Sequence, residues 1–73
     1  MRELVLTGDA VLVTFVETLL KDAGIEVHVF DRNLNALNGA VGPAPQRVMV
    51  ASGQWQRAKR LLVEADLERW IVE

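Results

Sequence analysis

The chain has 73 residues, of which 51% are hydrophobic and 25% charged, and its formal net charge is −2. This composition is typical of a folded globular domain, and the length allows a single domain with a small core. The absence of cysteine excludes disulfides and thiolate sites, and a negative chain without a long basic run is unsuited to neutralising nucleic-acid phosphates.

The first predicted element is a short strand, Arg2–Thr7. Alternation places Leu4 and Leu6 on one face of the strand and Val5 on the other. Because apolar residues occur on both faces, the strand is predicted to lie inside the sheet and to be covered on both sides, at least in part.

The next segment has the period of a helix. Asp9 precedes the apolar run and is predicted to cap the first turn, while Gly24 follows it and can adopt the left-handed conformation that ends a helix. Between them, apolar residues recur at spacings of three and four, namely Leu12, Phe15, Val16, Leu19, Leu20 and Ala23.

After Gly24 the pattern changes to the alternation of a second strand. Ile25, Val27 and Val29 are predicted to face inward, and Glu26, His28 and Phe30 to face outward. A right-handed crossover through the helix then leaves the second strand parallel to the first, with room for a strand between them.

A long segment rich in turn-forming residues follows, from Asp31 to Gln46. It reads DRNLNALNGAVGPAPQ, with three Asn, two Gly and two Pro. Sixteen residues make a long loop for a small domain, and such loops are often functional. A surface loop with a merely structural role is the alternative.

The third strand is predicted at Arg47–Ala51, with Val48 and Val50 on one face and Met49 on the other. Ser52 is predicted to cap a second helix. The apolar stripe of that helix consists of Trp55, Ala58, Leu61, Leu62 and Ala65.

The last six residues, Glu68–Glu73, favour a fourth strand because Trp70, Ile71 and Val72 have high strand propensity. Continuation of the second helix is the alternative. The predicted fold is α+β over residues 1–73, with the ferredoxin-like order βαββαβ. We expect a four-stranded antiparallel sheet in the order 4-1-3-2, with both helices on one face.

Several of these segments together resemble a known family. The first strand, the helix ending LLKDAGI, the strand VHVFD, the Gly/Pro loop and QRVMVA before an A-x-x-LL helix form an ordered set over residues 1–67. The set resembles the bacterial domain family described as "putative prokaryotic signal transducing protein". That resemblance implies a ferredoxin-like fold similar to the PII regulators, whose long loop between strands two and three contacts partners, and it implies a regulatory role. The tail ERWIVE lies beyond the family's usual core.

Two surfaces are predicted to carry the function. The first is the loop, where a protein partner or a small effector would bind Asp31, Arg32, Asn33, Asn35 and Gly42. The second is the sheet face left uncovered by the helices, predicted to present Val5, His28, Phe30 and Met49 and to pair two copies of the chain as a homodimer. Cover by the loop or the tail is the alternative for this second surface.

The residue inventory argues against catalysis. His28 is the only histidine and Ser52 the only serine, and tyrosine is absent, so we expect no catalytic residue, metal site or cofactor. A small enzyme, an enzyme subunit or an effector-binding domain is the alternative. The start of the chain lacks the apolar region of a signal peptide, and no apolar run approaches the roughly 20 residues of a membrane span, so a cytoplasmic location is expected.

Overall fold

The computed structural model describes residues 1–31 and 45–72 of the chain. Its α+β architecture confirms the predicted fold class and element order up to the second helix. In chain order the elements are β1 (Arg2–Thr7), α1 (Ala10–Asp22), β2 (Val27–Asp31), β3 (Gln46–Val50) and α2 (Trp55–Glu64). Short 3-10 turns at Ser52–Gln54 and Glu68–Trp70 flank α2.

The three strands form one antiparallel sheet in the order β1-β3-β2. Since β1 and β2 are both antiparallel to β3, they are parallel to each other, with β3 in the space predicted between them. The core lies between the sheet and the helices, where Val48 and Val50 pack in one cluster with residues of α1 and α2 such as Leu20 and Leu62.

The predicted fourth strand is wrong for the described part of the tail. Glu68–Trp70, which were predicted to begin the fourth strand, form a 3-10 turn instead. Only Ile71 reaches β1, through a single antiparallel bridge to Val5, and the Val72 amide donates to the Leu4 carbonyl at 2.8 Å. Continuation of α2 does not occur either, because the helix ends at Glu64.

A β-bulge in β1 changes which residues face the helices. Glu3 lies opposite Met49 but Val5 lies opposite Val48, so Leu4 has no partner on β3. The extra residue reverses the alternation beyond it. Leu4 and Val5 are both fully buried, and the prediction that Val5 lies on the uncovered face is therefore wrong. The same shift places Leu6 opposite Arg47, on the face away from the helices.

Helix α1 begins and ends as predicted. The Asp9 carboxylate accepts hydrogen bonds from the amides of Val11 (3.0 Å) and Leu12 (3.2 Å), which otherwise have no acceptor in the first turn. At the other end Gly24 has a φ of 77°, and the Ile25 amide returns to the Leu20 carbonyl at 3.0 Å. This pattern is a Schellman motif, and it delivers Ile25 into the core.

Helix α2 starts differently from the prediction, although its apolar stripe is confirmed. Ser52 opens a 3-10 turn whose N-cap, Ala51, makes no side-chain capping bond, and α2 itself begins at Trp55. The prediction that Ser52 caps the helix is thus wrong. The buried residues of α2 are Trp55, Ala58 and Leu62.

Residues at the start of α2 connect the helix to β1 and to the turn between α1 and β2. The indole Nε1 of Trp55 donates to the Glu3 carbonyl at 2.9 Å, and the Arg2 guanidinium lies 3.6 Å from the ring centroid. The Gln54 side-chain oxygen accepts from the Glu26 amide at 2.9 Å, and Arg57 donates to the Ala23 carbonyl at 2.7 Å. These bonds hold β1 and the α1–β2 turn against one end of α2.

Replacing Trp55 by Phe should lower the free energy of unfolding by about 2–3 kcal/mol. The change removes buried volume and leaves the Glu3 carbonyl without its donor. Urea denaturation followed by circular dichroism measures the effect. Trp70→Phe is the matched control, because Trp70 is 37% exposed whereas Trp55 is buried, and it should change stability by less than about 1 kcal/mol. Equal losses in the two variants would contradict the assigned role of Trp55.

Gly24→Ala should destabilise the fold by about 1–2 kcal/mol, since a side chain disfavours its left-handed backbone. A Cβ at this position meets no atom within 4 Å, so the strain is in the backbone alone. Gly53 is equally open but does not have a positive φ, and Gly53→Ala should stay within about 0.5 kcal/mol of wild type. Thermal unfolding of the two variants compares them directly, and an unaffected Gly24→Ala protein would refute the argument.

Candidate interaction surface on the sheet

The face of the sheet away from the helices carries two rows of side chains across the three strands. We call these six residues the open face. One row is Leu6, Arg47 and Phe30, and the other is Glu3, Met49 and His28. Each row follows the strand register, which brings the side chains of paired residues side by side.

Phe30 is the most prominent apolar group of the open face. Half of the Phe30 surface is exposed, whereas phenylalanine side chains are more often buried in folded proteins. The His28 ring stacks beside it, with the centroids 6.3 Å apart and the planes 24° from parallel. Leu6 and Met49 are partly exposed and extend the apolar area across β3 to β1.

The charges near this apolar area are paired within the chain. Arg47 Nε donates to Glu3 Oε1 at 2.9 Å across the β1–β3 pair, and His28 Nε2 lies 3.1 Å from Glu26 Oε2. Arg47 lies between Leu6 and Phe30 in the first row, so its ion pair fixes a polar group in the middle of the apolar area. Because the guanidinium already has a carboxylate, the face is better suited to an amphipathic protein surface than to a strongly anionic ligand.

The structure brings three of the four predicted face residues together. His28, Phe30 and Met49 lie on the open face, whereas Val5 lies in the core. Sequence reasoning missed Leu6, because no residue in the strand signals the bulge that turns it outward. That the three residues mediate self-association stays a prediction.

The predicted loop site falls largely outside the described residues. Asp31 ends β2, directly after Phe30, so the loop leaves the sheet at the border of the open face. Arg32, Asn33, Asn35 and Gly42 lie outside the described residues, and their role in binding stays a prediction.

The helical side of the domain has a second exposed apolar area. The outer surface of α1 forms a shallow groove lined by Ala10, Val11, Thr14, Phe15 and Thr18. Phe15 is 51% exposed, almost the same fraction as Phe30. The two phenylalanines therefore form a matched pair on opposite sides of the domain.

Within residues 1–31 and 45–72, no three His, Asp or Glu side chains lie close enough to hold a metal ion. Over the same residues, neither helix is both long and apolar enough to cross a membrane.

The fold is that of a small α+β domain. One face of its sheet is exposed and apolar, and the charged side chains on that face are paired with each other. The chain belongs to the family described as "putative prokaryotic signal transducing protein", whose model matches residues 1–66. The match includes every strand and helix of the sheet and core, and it stops before the turn that carries Ile71 and Val72 to the edge of β1. No curated protein matches the chain.

Phe30→Ser should change the free energy of unfolding by less than about 1 kcal/mol, because half of the ring is already in water. Phe15→Ser should behave in the same way. Leu4→Ala, at a fully buried position, should cost about 2–5 kcal/mol. Chemical denaturation at low protein concentration compares the three variants, and a loss for Phe30→Ser as large as that for Leu4→Ala would make Phe30 a core residue.

Proposed function

We propose that this domain is a non-catalytic signal-transducing module that binds a protein partner through its open face and the adjoining loop at 31–46. The exposed Phe30 ring, on the same sheet face as Leu6, His28 and Met49, is the observation on which the proposal rests. Family membership supports a role in signalling. A cytoplasmic location is part of the proposal.

The shape and polarity of the open face support a protein partner. A sheet surface is broad, and its apolar centre can bury an anchoring side chain of another protein while its rim stays hydrated. The His28–Glu26 pair, on the side of the edge strand β2, contributes to such a rim, whereas the Arg47–Glu3 pair adds a polar contact within the apolar area. A small effector would more often be held in a concave pocket that buries most of its surface.

The loop adds a second part to the proposed binding surface. It begins at Asp31, the residue after Phe30, and returns to the sheet at Gln46, opposite Asp31 in the register of β2 and β3. Both ends of the loop therefore lie at the border of the open face. A partner that covers Phe30 would contact the loop as well.

The alternative, a small enzyme or enzyme subunit, has little support in the residues. His28 is exposed and bonded to Glu26, and Ser52 lies in the 3-10 turn before α2. General acid–base or nucleophilic catalysis needs such groups to converge on one bound substrate. Their placement supports a binding module instead.

Affinity capture from a lysate of the source cell tests the proposal. The wild-type domain should recover one defined protein, and both Phe30→Glu and Leu6→Glu should lose it, because each replaces an apolar side chain of the open face by a charged one. Quantitative mass spectrometry of the captured proteins is the measurement.

Phe15→Glu is the matched control, since Phe15 is equally exposed on the opposite side of the domain. It should retain the partner. Capture that survives both open-face substitutions, or that is lost in Phe15→Glu, would place the binding surface elsewhere. Loss in Phe30→Glu alone would point to the edge of β2 rather than to the face.

A further inference from the structure

The outer edge of β2 has backbone groups with no partner in the described structure. The Ala51 amide donates to the Glu26 carbonyl at 3.3 Å, which places that pair in the hydrogen-bonded position of the ladder. In an antiparallel pair these positions alternate, so His28 and Phe30 bond to β3 while Val27, Val29 and Asp31 direct their amides and carbonyls outward. Within the described residues no hydrogen bond reaches the outward groups of Val27 or Val29.

The opposite edge of the sheet is already covered. On β1 the Glu3 carbonyl accepts from Trp55 Nε1, and the Leu4 carbonyl accepts from the Val72 amide. The bridge between Ile71 and Val5 adds a short strand-like contact there. In the described part of the sheet, β2 is therefore the open edge.

Strand β2 also lacks three of the features that prevent edge-to-edge pairing, namely proline, lysine and a bulge. Its sequence, VHVFD, has no proline or lysine, and all five residues pair with β3 in an unbroken register. Natural edge strands are commonly protected by proline, lysine or a bulge. In this sheet the bulge is on β1, the edge that the tail covers.

We propose that β2 pairs with β2 of a second copy of the chain in antiparallel orientation, centred on Val29, and so joins two three-stranded sheets into one. The inference goes beyond the proposed function, because it concerns a strand edge and a second copy rather than the partner on the open face. It also relocates the predicted self-association from the sheet face to the sheet edge.

The register centred on Val29 follows from the outward groups. Val29 pairs with the partner subunit's Val29, and Val27 pairs with the partner subunit's Asp31, which gives about six new main-chain hydrogen bonds. His28 then lies opposite the partner subunit's Phe30, at a non-hydrogen-bonded position where side chains approach most closely. The two-fold axis repeats this aromatic pair, so the contact is self-complementary.

The geometry keeps both open faces available. In this register His28 lies opposite the partner subunit's Phe30, and both residues belong to the open face. The open faces of the two copies therefore lie on one side of the joined sheet, and the helices of both copies lie on the other side. Continuous pairing also provides additional burial for a domain whose own core is small.

Amide hydrogen exchange of the wild-type protein, measured residue by residue by NMR, tests the pairing without any substitution. We expect the Val29 amide to exchange about tenfold more slowly once about nine-tenths of the chain is dimeric, since exchange then occurs only from the monomer. The amides of His28 and Phe30, bonded to β3, should be protected at every concentration. A dimer through the face would leave Val29 unprotected and would overturn the proposal.

Charge substitutions test the register. The double variant H28K/F30K places lysines opposite one another and should be monomeric, whereas H28E/F30K places glutamate opposite lysine twice and should dimerise again. Phe15→Lys should dimerise as wild type does, and circular dichroism confirms that each variant is folded. Sedimentation from about 10 μM to about 1 mM covers the affinities expected of a weak pair.

Three results would overturn the inference. They are a monomeric wild type across this range, a dimer that survives in H28K/F30K, and protection of Val29 that appears only when a partner protein is added. The last result would assign the edge to that partner. Loss of the partner in Leu6→Glu with the Val29 protection intact would separate the two surfaces, because Leu6 lies on β1, away from this edge.

Discussion

The hydrogen bonds made by the first turn of α2 determine how the rest of the domain is held. Trp55 binds the Glu3 carbonyl of β1, and Gln54, directly before α2, binds the amide of Glu26, the residue before β2. The start of α2 is therefore bonded both to β1 and to the turn that leads into β2. Because a partly buried carbonyl without a donor is costly, the Trp55 bond in particular favours this position of α2 over the sheet. Both helices lie on the opposite side of the sheet from the open face, so neither of them covers Phe30.

Much of this arrangement follows from local sequence patterns. The capping aspartate, the glycine at the end of α1 and the alternation in β2 each act within a few residues, and the structure agrees with all three. The inward positions of Val48 and Val50 follow from the same alternation in β3. These features were predictable because local geometry alone decides them.

The features that were not predictable depend on contacts between distant residues. The bulge at Leu4 belongs to the pairing of β1 with the distant strand β3, and it places Val5 in the core and Leu6 on the open face. Serine is a good N-cap residue, but Ser52 lies in a 3-10 turn that precedes α2. This turn places Gln54 where its side chain bonds to the Glu26 amide. In the tail, strand propensity was outweighed by the turn that follows Asp66, whose φ is 64°. Consequently His28, Phe30 and Met49 lie on the face where the alternation of β2 and β3 placed them, whereas Val5, the one residue predicted there from β1, lies in the core.

The strand order has a consequence for how the protein is made. β3, the central strand, is the last of the three in the chain, and β1 and β2 do not pair with each other. The βαβ segment alone therefore contains neither strand pair of the described sheet. Sheet formation must wait for the loop and β3, and then joins segments far apart in sequence, which is the slow kind of contact in folding. Any truncation before Gln46 would therefore remove both strand pairs of the described sheet at once, since β3 is a member of each.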